Sequence, residues 1–192
     1  MFNPKKSAVM FIKPEFMKNA KLPDFEINNE TIDVVKQYLY LGHIICDSLS
    51  DYLDIACQRK KIYAQGNCLL RKFHMCTVDV KVTLFKSYCS SFYTAQLWTN
   101  YTQNAINKLY IAYHNIMKLL IGANKREHTR PICVTLNIKF CPALIRNLVY
   151  KFMKRLITSE NTILKALCES TCFYRSPMWK HWRRQLYVNG VG

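Results

Sequence analysis

The spacing of apolar residues changes once along this chain, near Ser50, and that change constrains the fold more than any other feature. Before it, short apolar runs and alternating pairs point to strands. After it, apolar residues recur every three to four positions, the period of an amphipathic helix. Half of the 192 residues are hydrophobic, and five Gly and six Pro leave no linker-like tract. A chain of this length can bury roughly 70% of its unfolded surface as one domain, or as a small lobe with a larger one.

The strand-like part reads as follows. Residues 8–12 form a short buried strand, and 13–24, with Pro14 and Pro23, a loop. Phe25-Glu26-Ile27 and Glu30-Thr31-Ile32 flank Asn28-Asn29, a hairpin signal because Asn tolerates positive φ. Residues 38–45 read as one strand, with Gly42 as a kink or close backbone approach.

Beyond Ser50, five helices are expected. Ser50 is a candidate N-cap, with Asp51 and Asp54 in the first turn. The inward stripe is then Ile55, Ile62, Leu69 and Phe73. Thr77 opens a second helix with stripe Val80, Leu84, Tyr88, Phe92 and Leu97. A third carries Ile106, Leu109, Tyr110, Tyr113, Met117 and Leu120, and ends at Gly122. Pro142 starts a fourth, with Leu144, Ile145, Leu148, Val149, Phe152, Met153 and Leu156. The fifth, over 159–169, turns Ile163, Leu164 and Leu167 inward. The expected fold is α+β, mainly α: a β-rich stub over 1–50 and a basic helical bundle over 51–192.

Charge divides at the same place. Residues 1–50 carry six Lys and six acids, whereas 51–192 carry 22 Lys plus Arg against six acids and hold the whole net +16. Such an excess suits a polyanion; a solvated helix surface that favours Lys over Glu is the alternative. Nine scattered cysteines without a Cys-x-x-Cys pair fit reduced, mostly buried thiols. Cys168, Cys172 and His181 are too few for a zinc site. No basic-then-apolar leader occurs, so an intracellular protein is expected, nucleus or cytoplasm left open, and the sequons at Asn29 and Asn100 carry no weight. The uncharged run over 87–107 is too polar to enter a bilayer.

No catalytic constellation is visible. A polymerase needs paired carboxylates for two metal ions, and no Asp-Asp pair adjoins an apolar strand here. Asp47, Asp51 and Asp54 cluster, with helix capping as the simpler explanation. Phosphate loops, dinucleotide fingerprints and hydrolase motifs are absent, and no small-molecule substrate is expected.

Phe2-Asn3-Pro4-Lys5-Lys6-Ser7 and Tyr38-Leu39-Tyr40-Leu41-Gly42 together resemble the end of the palm domain of a reverse transcriptase from a non-LTR (LINE-like) retrotransposon. Ala64, Asn67, 69–73 and 84–89 resemble the thumb-like region that follows, and 176–184 a segment near the end of some members. The resemblance places the catalytic Tyr-x-Asp-Asp hairpin upstream of Met1. The chain would therefore keep a template–primer-holding region without the carboxylates or the Mg²⁺ of the intact enzyme. It maps Lys5 or Lys6 onto the lysine near the incoming nucleotide's phosphates, although a solvated pair at a strand start is simpler. Tyr38, Leu41 and Gly42 map onto the hairpin that supports the primer terminus; ordinary strand packing is compatible with that. Arg59, Lys60, Lys61, Arg71, Lys72 and Lys86 would track a backbone of RNA or RNA–DNA hybrid without reading sequence. Trp179, Lys180, Trp182, Arg183 and Arg184 can stack on bases and pair phosphates, or the two tryptophans plug the bundle. The implied function is part of an RNA-directed DNA polymerase, inactive alone. A helical protein-interaction module is the rival.

Overall fold

A computed structural model describes residues 3, 7–13 and 23–187. Lys5, Lys6 and most of the loop expected at 13–24 lie outside them.

Strands precede Ser50 and helices follow it, as the periodicity requires. The strands are β1 (Ala8–Val9), β2 (Glu26–Ile27), β3 (Glu30–Thr31), β4 (Asp33–Val34), β5 (Gln37–Tyr40) and β6 (His43–Cys46). They pair two by two: β1 parallel to β4, β2 antiparallel to β3, and β5 antiparallel to β6. The turn between β2 and β3 is the expected one, with Asn28 and Asn29 at φ 54° and 62°. Two expectations fail. The strand over 8–12 shrinks to Ala8–Val9, and Ile12 is 52% exposed. The single strand over 38–45 is a hairpin, because Leu41 and Gly42 both take left-handed φ (47° and 81°) and reverse the chain. Gly42 supplies that conformation without a Cβ penalty.

Helix α1 (Tyr52–Lys72) packs mainly against α3 (Gln103–Ile121). Ile55, Ile62 and Leu69 face the buried stripe Ile106, Leu109, Tyr113, Met117 and Leu120. Each such side chain contributes on the order of 1.5–3 kcal/mol on leaving water. At the crossing sits Gly66; a Cβ there would lie 2.3 Å from Ile116 Cγ2. Gly122, at φ 72°, closes α3 in the left-handed conformation.

The cap of α1 departs from expectation. Its N-cap residue is Asp51, and neither Asp51 nor Asp54 spends its carboxylate on the helix end. In α2 (Val78–Tyr88) the inward stripe is Val82, Phe85 and Cys89; Val80 and Tyr88 are exposed. That helix carries two apolar faces, and the aromatic edge contact of Phe85 on Tyr113, at 4.9 Å, selects the other one. Phe92 lies past the helix, buried nonetheless.

A 3₁₀ turn (Ala95–Leu97) leads to α3, and α4 (Thr129–Thr135) follows it. Helix α5 (Cys141–Ile157) starts with Pro142 in its first turn and buries Ile145, Val149 and Met153. Then follow α6 (Thr162–Glu169), α7 (Thr171–Arg175) and α8 (Pro177–Tyr187). In α6 the inward expectation fails for Ile163 and Leu167, which are exposed; Leu164 is half-buried. Two turns offer only a narrow face for burial, and α6 meets little beyond α5 and α7. No helix among the described residues is long and apolar enough to cross a membrane.

Candidate nucleic-acid interface

Helix α1 turns its cations to solvent. Lys60, Lys61, Arg71 and Lys72 are exposed, and Arg59 is half-buried. Lys60 and Arg71 are separated by about three turns, as are Lys61 and Lys72, so each pair shares a line along α1 with ends roughly 16 Å apart. Between Lys60 and Arg71 that line carries Ala64 and Asn67, short and exposed. Lys86 is exposed in the last turn of α2, which packs beside α1. Arg59 shares a shallow groove between α1 and α3 with Lys108, a cation the resemblance does not mark. None of these side chains pairs with a carboxylate among the described residues. The sole acid of α1, Asp54, is buried, and α2 keeps Asp79 at its opposite end. The positive potential of this surface is therefore not cancelled locally.

The two buried carboxylates beneath it are structural. Asp54, 2% exposed, accepts hydrogen bonds from Trp98 Nε1 and Thr94 Oγ1, both at 2.7 Å, and from the Ile44 amide at 3.1 Å. His43 Nδ1 lies 3.2 Å from the same carboxylate. Asp51 accepts from the amides of Thr99 and Asn100, each at 2.7 Å. Burial pushes the Asp51 carboxyl above its usual range, against the pull of those two amides. Together the pair fastens β6 and the 94–100 segment to the start of α1. Asp51 holds the N-cap position and Asp54 the first turn, yet neither carboxylate bonds the helix end. Their partners are remote in sequence, and the uncharged run holding Thr94 and Trp98 offered no local sign of them.

The hairpin residues stand at the far edge. Tyr38, Leu39, Tyr40 and Leu41 are exposed, Leu41 at 73%. The Tyr93 ring covers Gly42, where an added Cβ would sit 3.7 Å from it. At the other end of the chain, Trp179 and Trp182 are half-buried, with ring centres 4.9 Å apart, and Trp179 packs on Phe173 and Tyr174. Both indoles border the core, which is the bundle-plugging arrangement, while Lys180, Arg183 and Arg184 are exposed on α8. The expected binding residues thus occupy three places: the β5–β6 tip, the α1–α2 surface, and α8 packed on α5.

All nine cysteines are free; four are buried, four half-buried, and Cys172 is exposed. Burial alone pushes the Cys89 thiol up to about 11, and burial together with the neighbouring Cys133 raises Cys141. Among the described residues, no group of three or more His, Cys, Asp or Glu could hold a metal ion. Both oxygens of Asp54 and the Oδ2 of Asp51 already accept N–H or O–H donors. Comparison with protein-family models, curated proteins and solved structures finds no match to this chain.

Proposed function

We propose that this chain is a reverse-transcriptase-derived fragment that holds the backbone of RNA or an RNA–DNA hybrid and does not itself catalyse synthesis. The observation that carries the reading is the α1–α2 surface: Lys60, Lys61, Arg71, Lys72 and Lys86, exposed and unpaired with carboxylates, with Ala64 and Asn67 leaving room for a strand to approach. Contacts of this kind release counterions and carry no sequence information. The Asn-Pro-Lys-Lys-Ser and Tyr-Leu-Gly segments give the reading its family, and the charge asymmetry gives it its ligand. Fluorescence anisotropy with a labelled RNA–DNA hybrid tests it. The double variant Lys60→Gln/Arg71→Gln should weaken binding while its helical circular dichroism is unchanged. Equal affinity of variant and parent would contradict the assignment.

A second reading has its own observation. Tyr38, Leu39, Tyr40 and Leu41 leave large apolar side chains exposed on the two faces and tip of the hairpin, with exposed Tyr93 against Gly42, and exposed apolar groups of this kind mark protein contacts. The same titration separates the two readings, since an interaction module of this kind needs no affinity for the hybrid.

A further inference from the structure

A second basic feature lies away from the α1–α2 surface. Between α4 and the start of α5 is a cleft of about 560 Å³, lined by Arg130, Val134, Asn137, Phe140 and Arg146, with buried Cys133 and Ile138 at its base. Its volume falls within the 300–1,000 Å³ common for small-ligand sites. No carboxylate lines it. Arg130 and Arg146 both border it, and neither forms a salt bridge among the described residues. A guanidinium presents five donors in a planar fork that matches phosphate or carboxylate oxygens. The Arg130 guanidinium carbon stands 5.6 Å from the centre of the Phe140 ring. That ring is itself stacked on His114, at 4.6 Å and 20° between planes. The stack holds Phe140 in place and leaves Arg130 over an aromatic face. Val134, 80% exposed, adds an apolar wall.

We propose that this cleft binds a phosphate-bearing ligand with a flat apolar body, of the class of a mononucleotide. The two guanidinium forks take the phosphate, while Val134 and the rim of Phe140, whose faces are held by His114 and Arg130, border the flat body. The site goes beyond the backbone-holding role and does not depend on it.

Equilibrium dialysis of the full chain with adenosine 5′-monophosphate, adenosine and inorganic phosphate tests the assignment. The monophosphate should bind saturably, and adenosine and phosphate alone should each bind at least about tenfold more weakly. Arg130→Gln or Arg146→Gln should each cost about tenfold, as expected for loss of a charge-assisted hydrogen bond. Val134→Trp, at a solvent-facing position, should block the cleft without disturbing the fold, and Lys60→Gln/Arg71→Gln should leave monophosphate binding unchanged. Absence of saturation would overturn the proposal. So would inorganic phosphate binding as well as the monophosphate, or an affinity that survives both arginine substitutions and Val134→Trp.

Discussion

Asp54 carries more of the architecture than its neighbours in sequence suggest. Four donors or near-donors from two separate segments, β6 and 94–100, converge on one buried carboxylate, and leaving them unpaired is costly. Asp54→Asn keeps the volume but replaces one acceptor oxygen with a donor. It should lower unfolding stability by about 2–3 kcal/mol in urea titration; an unchanged midpoint would show that the carboxylate is dispensable. Gly66 is the second critical position. Gly66→Ala gains helix propensity of about 1 kcal/mol, yet the overpacking against Ile116 should outweigh it, with a net loss of about 1–2 kcal/mol. Combined with Ile116→Ala, which removes the clashing Cγ2, the two losses should be less than additive. His114 sets a pH dependence. Burial, helped by the Lys118 charge, lowers its pKa to about 4 from 6.5. The unfolded chain then binds a proton more readily than the folded one between those values. Stability should fall as pH drops from about 6.5 to 4, by up to about 2 kcal/mol after allowance for partial solvent screening. His114→Gln should flatten that slope in thermal scans. None of these roles was legible in the sequence. Trp98 and Ile116 are far along the chain from the residues they constrain, and Asp54 four residues past Ser50 looks like any first-turn acid.

At the scale of elements, legibility follows the number of competing faces. Helices α3 and α5 carry one dominant apolar stripe each, and both form where the spacing puts them, with Gly122 and Pro142 marking an end and a start. Helix α2 carries two stripes, and Tyr113, on another element, decides between them. The Asn28-Asn29 turn was readable because Asn tolerates positive φ. Leu41-Gly42 was not, since leucine rarely adopts it. The strand pair β1–β4 has two residues on each side and no further partner strand among the described residues. Such short, open-edged pairing is weakly held. Native-state hydrogen exchange should therefore be fast at Ala8–Val9 and slow in α5; matching slow rates would mean that the N-terminal strands are completed in a way the short ladders do not reveal.

For the whole molecule, the boundary near Ser50 was legible twice, in the hydrophobic period and in the charge. The direction of the charge was also readable, whereas its placement was not. The resemblance marked six cations on the first two helices, and folding leaves five of them exposed and Arg59 half-buried while the only acid of α1 goes inside. It also marked the tryptophans of α8, which border the core half-buried, Trp179 against Phe173 and Tyr174 and Trp182 against Trp179. The role proposed for the α1–α2 surface is to bind a nucleic-acid backbone through phosphate contacts. Its most direct test is the salt dependence of binding, measured by anisotropy on duplex DNA and on RNA–DNA hybrid of scrambled sequences. On duplex DNA, log K should fall linearly with log salt at roughly −0.9 per phosphate contact. The slope should be independent of sequence and should become shallower by about one contact for each of Lys60→Gln, Arg71→Gln and Lys86→Gln. A flat salt response, or a slope that these substitutions leave unchanged, would contradict it.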